Sequence, residues 1–200
     1  MAQTFDCDVV GTDLSAEMIR LATQSADEAG LTARVTFQQG DAERLPFEDN
    51  AFDVVLCECA FCIFPDKPTA AREFTRVLRP GGKVGLSDLT REGELPSELE
   101  SLLAWVACIA DARPIAEYAD HLRNAGCDSV QTEAHHEALS QMVSDIRGRL
   151  MTAQVLVGLK KIELPGVDLA QAQILARSTE QTIRNGKLGY ALIVGQRHAG

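Results

Sequence analysis

The sequence predicts an α/β fold with a mostly parallel sheet and an antiparallel final strand. Three observations point there. β-branched apolar runs alternate with segments of helical period, the pattern of parallel strands joined by crossover helices. The run Phe52-Asp-Val-Val-Leu-Cys57 is almost continuously apolar, which suits a strand buried on both faces. A last apolar run, Leu188-Gly-Tyr-Ala-Leu-Ile-Val194, follows a helical segment that Gly186 ends.

The elements follow in order. Asp8-Val-Val-Gly-Thr-Asp13 is the first strand. Ser15 is placed to cap the helix behind it. That helix should turn Met18, Ile19, Ala22 and Ala26 inward and close at Gly30. Ala33-Arg-Val-Thr-Phe37 is the second strand and Phe52–Cys57 the third. Asp66 can cap a helix whose buried stripe is Ala70, Phe74, Val77 and Leu78. Arg79-Pro-Gly-Gly82 then turns the chain into the strand Lys83-Val-Gly-Leu-Ser-Asp88. Helices are expected near 96–110 and 114–125, the second opened by Pro114. A weak strand is expected near 127–133 and helices over 136–160 and 168–184. The final strand spans 188–196.

Composition bounds the function. The chain has 200 residues, 46% of them hydrophobic, enough for one domain over 1–200 with a sizeable core. There is no internal repeat. No apolar run approaches the roughly 20 residues of a membrane span. The start has no signal-peptide pattern, so a cytoplasmic protein is expected. A net charge of −10 supplies no basic stripe for a nucleic-acid backbone. His135 and His136 are adjacent and point apart, so they read as a solvated segment. His121 and His198 read as surface residues. No group has zinc-ligand spacing, and no metal is expected. Six cysteines are present, and three of them crowd into Cys57-Glu-Cys59-Ala-Phe-Cys62.

Four phrases occur in order: Val10-Gly-Thr-Asp13-Leu-Ser, Gly40-Asp41-Ala42-Glu-Arg-Leu-Pro46-Phe, Phe52-Asp-Val-Val, and Arg76-Val-Leu-Arg-Pro-Gly81-Gly82. Together they resemble the class I S-adenosylmethionine (SAM) dependent methyltransferases. The resemblance implies a Rossmann-like three-layer sandwich and SAM as cofactor. It also implies a small-molecule methyl acceptor as partner. The physics agrees, because ligands of open α/β sheets sit outside the carboxyl ends of the strands. Asp13 matches the residue that accepts both ribose hydroxyls; its plainer reading is a cap for the following helix. Asp41 and Ala42 match the adenine contact, and Leu14 is expected as an apolar wall beside it. Met18 reads equally as wall or core. Cys57, at the strand end, is grouped with the cofactor-binding residues, although its type and place also read as strand core.

In that family an earlier strand, a Gly-x-Gly-x-Gly loop and a helix precede the Asp13 strand. Here only Met1 to Cys7 do, without a glycine. The first strand and helix are therefore absent from the sequence. Two readings stay open: a native protein that begins further upstream, or a degenerate methyltransferase-like protein that binds without transferring. The absent strand would be central, between those ending at Asp13 and Cys57. The expectation is that Val9–Asp13 pairs directly with Val54–Cys57, or that another segment or second chain fills the slot. Poor SAM binding and homo-oligomers through unpaired edges follow.

Within the superfamily, Leu56-Cys57-Glu-Cys59-Ala-Phe-Cys62-Ile-Phe-Pro65-Asp66-Lys67 resembles the arsenite methyltransferases. That resemblance implies Cys59 and Cys108 as catalytic thiolates on trivalent arsenic, since soft thiolates select soft centres. The alternative is an organic acceptor, with Cys59, Cys62 and Cys108 lining its pocket. Free cysteines also serve simply as small hydrophobes, the reading for Cys127.

Overall fold

The computed structural model describes residues 1–100, 109 and 111–199. A short helix α1 (Ala2–Phe5) precedes β1 (Val9–Asp13). Then come α2 (Ala16–Glu28), β2 (Val35–Gln39), β3 (Phe52–Glu58), a 3-10 turn at Phe61–Ile63 and α3 (Lys67–Val77). They are followed by β4 (Leu78–Arg91), a 3-10 turn at Ser97–Glu100 and α4 (Ile115–Asn124). The chain ends with β5 (Cys127–Ala134), α5 (His136–Gly158), α6 (Leu169–Arg184) and β6 (Leu188–Arg197). The helix expected over 96–110 lies mostly outside the described residues. No helix among them is long and apolar enough to cross a membrane.

The local start signals act as the sequence predicts. The Ser15 hydroxyl accepts from the Met18 N–H at 3.3 Å, and Asp66 accepts from the Thr69 N–H at 3.0 Å. Each satisfies an amide that the first helical turn leaves without a partner. Gly30 and Gly186 sit at φ +67° and +69° just beyond their helices.

The strands form two sheets. β1 and β2 pair in parallel, and the other four lie in the order β3-β4-β6-β5. β3 and β4 are parallel, whereas β6 runs antiparallel to both β4 and β5. This is an α/β arrangement with the antiparallel last strand expected. β4 begins earlier than expected. Leu78 already pairs with Phe52, and the register then jumps to Val54 opposite Lys83. The Arg79–Gly82 turn is therefore an irregularity inside the ladder rather than a break before it.

One face of the four-stranded sheet holds the core. Val84, Leu86, Ala191 and Ile193 pack beneath Ala70, Phe74 and Val77 of α3 and Tyr118 and Leu122 of α4. A second core joins Leu89, Leu95, Leu99 and Ile109 to Leu139 and Val143 of α5 and to Ile183 and Leu188. The opposite face is open. Val54 is 50% exposed and Leu56 58%, with Leu192 and Val194 exposed beside them. β3 is thus not buried on both faces, a correction to the reading of its apolar run.

β1 and β3 do not pair; they lie in separate sheets. The Leu45 N–H donates to Glu73 Oε2 at 2.7 Å, and Arg76 donates to the carbonyls of Phe47 and Leu45 and to Asp49. These contacts fasten the loop between β2 and β3 to α3. Arg76 also holds the Glu73 carboxyl below the usual carboxylate range. Met18, read as wall or core, is 47% exposed, and only Ala26 on α2 is fully buried. His121 is a further correction. Its helix face also carries the buried Tyr118 and Leu122, so its ring packs at 6.1 Å from that of Phe61.

Candidate functional site

The site is assembled at the carboxyl ends of the parallel strands. Asp13 ends β1 opposite Gln39, which ends β2. The Gly40 N–H donates to the Asp13 carbonyl at 3.0 Å, and Gln39 Nε2 donates to the Leu14 carbonyl at 2.9 Å. Gly40 is required here. A Cβ on it would lie 2.7 Å from Thr12 Oγ1 and 2.8 Å from Pro46 Cδ. This close turn sets Asp41 and Ala42 directly beyond Asp13.

Asp13 is exposed. Its Oδ1 accepts from the Ser15 N–H at 2.7 Å, which realises the capping reading. A carboxylate has about four acceptor positions, so this bond leaves capacity for a ligand. Leu14 is 71% exposed beside it, as an apolar wall for a ring would be. Asp41 Oδ1 accepts from the Glu43 N–H at 2.9 Å in a tight turn. Glu43 Oε1 accepts from the Asp66 N–H at 2.7 Å. That bond joins the segment after β2 to the one after β3, so both strand ends open on the same side.

At the end of β3 the chain bends sharply. Cys59 sits at φ +48°, a left-handed conformation that costs a non-glycine residue about 1–2 kcal/mol. Its N–H donates to the Ser87 carbonyl at 2.8 Å. The exposed thiol lies 3.6 Å from the Tyr190 hydroxyl on β6. Ser87 lies near that phenol and works against the rise in its pKa. Cys62 is fully buried, and its N–H donates to Asp88 Oδ2 at 2.9 Å. Cys57 packs against the core, where burial pushes its thiol pKa up to about 12. Cys108 lies outside the described residues. Among the described residues no group of three His, Cys, Asp or Glu side chains could hold a metal ion.

Asp88 is the buried charge beneath this end of the sheet, at 1% exposure. Burial raises its pKa, opposed by the N–H groups of Cys62 and Leu89. A carboxyl raised on folding favours the protonated native state. Its contribution to stability is complete below about pH 4, the ordinary aspartate pKa, and is lost as pH rises through the native value. Asp88→Asn mimics the protonated form. Thermal melts of this variant should show less loss of stability between pH 4 and 8 than the parent. Parallel curves would contradict this.

Two features were not foreseen. The sequence places Tyr190 only as part of the last strand. Because β6 runs antiparallel, the start of that strand reaches the site, and the one aromatic residue there was the available signal. The Glu73–Arg76 clamp has the spacing of a helical ion pair, but its loop partners lie about 30 positions away and leave no local mark.

Comparison with known proteins bears on this geometry. Residues 1–86 match the family described as a methyltransferase domain. Phosphoethanolamine N-methyltransferase 3 of Arabidopsis thaliana is 36% identical over 133 residues, which is 66% of this chain and 26% of that protein. Arsenite methyltransferase of Halobacterium salinarum is 28% identical over 141 residues, 70% of this chain and 36% of that protein. The chain therefore spans about a quarter to a third of the length of these relatives. Among solved structures, phosphoethanolamine N-methyltransferase 2 of Haemonchus contortus, in complex with phosphomonomethylethanolamine and S-adenosylhomocysteine, superposes with a TM-score of 0.81 at 21% identity. That match covers 98% of this chain and 45% of the other. Residues 1–86 match the methyltransferase-domain family, and the chain as a whole has the fold of a solved phosphoethanolamine N-methyltransferase.

Proposed function

We propose that residues 1–200 act as one cytoplasmic domain of a SAM-dependent methyltransferase whose acceptor is a small molecule. The carrying observation is the exposed Asp13 carboxylate at the end of β1, with Asp41 and Ala42 one strand away. The donor set fits the nucleoside half of SAM. Asp13 accepts from the ribose hydroxyls, Asp41 from the adenine amine, and the Ala42 N–H donates to a ring nitrogen. Leu14 covers the ring. Cys57 stays a neutral thiol and acts as an apolar wall. When bound, SAM supplies an electrophilic methyl group. The chain's part is to orient the acceptor in line with it and to exclude water.

S-adenosylhomocysteine titrated calorimetrically into this chain is the test. The parent chain is expected to bind it through the nucleoside half. Asp13→Ala should weaken binding about tenfold or more, the loss of a charge-assisted hydrogen bond. Equal binding by both proteins would overturn the assignment. A degenerate copy that binds without transferring would share this result and differ only in giving no turnover.

For the acceptor, the exposed Cys59 favours a thiophilic centre, a trivalent arsenical held with Cys108. The arsenite and phosphoethanolamine enzymes among the relatives make turnover of these two acceptors the deciding comparison. No general base is needed for arsenic, since its lone pair attacks without losing a proton.

A further inference from the structure

We propose that Tyr190 is a positioning residue on the acceptor side of this site: its hydroxyl donates to the Cys59 sulfur and holds the thiolate beside the end of β3 and the start of β6. The inference deepens the methyl-acceptor reading and takes its meaning from it, but its test needs no methyl transfer.

Three strands converge on the contact. Cys59 closes β3, Ser87 stands on β4 and Tyr190 on β6. The backbone of Cys59 is fixed first, by its N–H bond to the Ser87 carbonyl. That bond holds the left-handed turn which directs the thiol toward Tyr190, 3.6 Å from its hydroxyl. Ser87 also lies near the phenol, so one strand residue stands beside both members of the pair. The left-handed turn costs stability in a non-glycine residue, and the bond to Ser87 offsets part of that cost.

The phenol's chemistry suits the role. Partial burial pushes its pKa up to about 12, helped by the nearby Cys59 and Glu58. It stays protonated at working pH and presents one O–H. Hydrogen bonds to charged acceptors are stronger than those to neutral ones, so the contact favours the ionised thiol, whose proton leaves to solvent. Among the described residues, Glu58 on β3 bears on the phenol and Cys57 on the Cys59 thiol. Cys57 stays protonated, and Glu58 disfavours the thiolate. Tyr190 is the group of this set that acts in its favour.

The test is site-resolved alkylation of Cys59 by iodoacetamide, followed by peptide mass spectrometry across pH 6–10. In Tyr190→Phe the midpoint for Cys59 should rise by about one pH unit, with alkylation about tenfold slower below both midpoints. Buried Cys62 and Cys127 should remain protected in both proteins, which shows that the fold persists. S-adenosylhomocysteine binding should be unchanged, which separates this inference from the nucleoside assignment. Ser87→Ala keeps the backbone bond and should shift the midpoint in the same direction by less. An unchanged midpoint in Tyr190→Phe, with Cys62 and Cys127 still protected, overturns the proposal. If Tyr190→Phe exposes those thiols, Ser87→Ala decides: a shift supports the proposal and no shift overturns it.

Discussion

Phe61→Ala is expected to be the most damaging single substitution in the core. Phe61 is fully buried, and its ring centre lies 5.7 Å from that of Tyr118, 5.8 Å from Phe64 and 6.0 Å from Phe74. Removing such a ring costs about 3–5 kcal/mol in lost burial and residual cavity. Total stability for a domain is only about 5–15 kcal/mol. For about 200 residues this lowers the melting temperature by roughly 6–20 °C. The effect should reach the site. Phe61 opens the 3-10 turn that follows Cys59 and carries the Cys62 N–H onto Asp88. Alkylation of Cys62, protected in the parent, should therefore become measurable. Phe5→Ala is the control, because Phe5 is 67% exposed and should change stability by less than about 0.5 kcal/mol. Equal melting temperatures for the two variants would show that the Phe61 cluster does not hold this end of the sheet.

What the sequence disclosed follows the range of each interaction. Ser15 and Asp66 cap their helices through bonds only three residues long, so residue type and spacing predict them. The strand runs and the stripe Ala70, Phe74, Val77 and Leu78 were legible because periodicity is local. The place of Asp13 at the end of β1, and of Asp41 and Ala42 just beyond β2, was legible because an apolar run that stops at a turn marks a strand end; their role in binding is the proposal made above. Val54 and Leu56 were misread because burial of a strand depends on what covers the sheet, and that information is not in the strand. His121 was misread because polarity suggested solvent while its place on α4 put it against Phe61. The pairing of Cys59 with Tyr190 joins residues 131 apart, and no pattern along the chain announces it.

The open sheet face should make the 200-residue chain self-associate. Register places Leu56, Gly85 and Val194 in one row across β3, β4 and β6. A Cβ on Gly85 would lie 2.9 Å from Leu56 Cδ2, so the Leu56 side chain leans over that glycine toward Val194. Val54 shares the face of Leu56, two residues earlier. Val10 on β1 is also exposed, at 40%. Val54, Leu56 and Val194 make an apolar surface that reaches the unpaired edge of β3, with Val10 exposed on the other sheet, and exposed apolar edge strands are templates for pairing. Apolar burial contributes about 25 cal/mol per Å², so covering this surface outweighs the modest repulsion of two chains at net charge −10. Salt screens that repulsion and leaves the apolar term intact. Sedimentation velocity should accordingly show association that grows with protein concentration and with added salt. The double variant Val54→Lys with Leu56→Lys places two charges on the exposed face of β3. It should shift the population to monomer while changing the melting temperature little, because neither side chain is part of the core. A parent chain that stays monomeric across the concentration range, or a double variant that associates as strongly as the parent, would show that this face is not what brings two chains together.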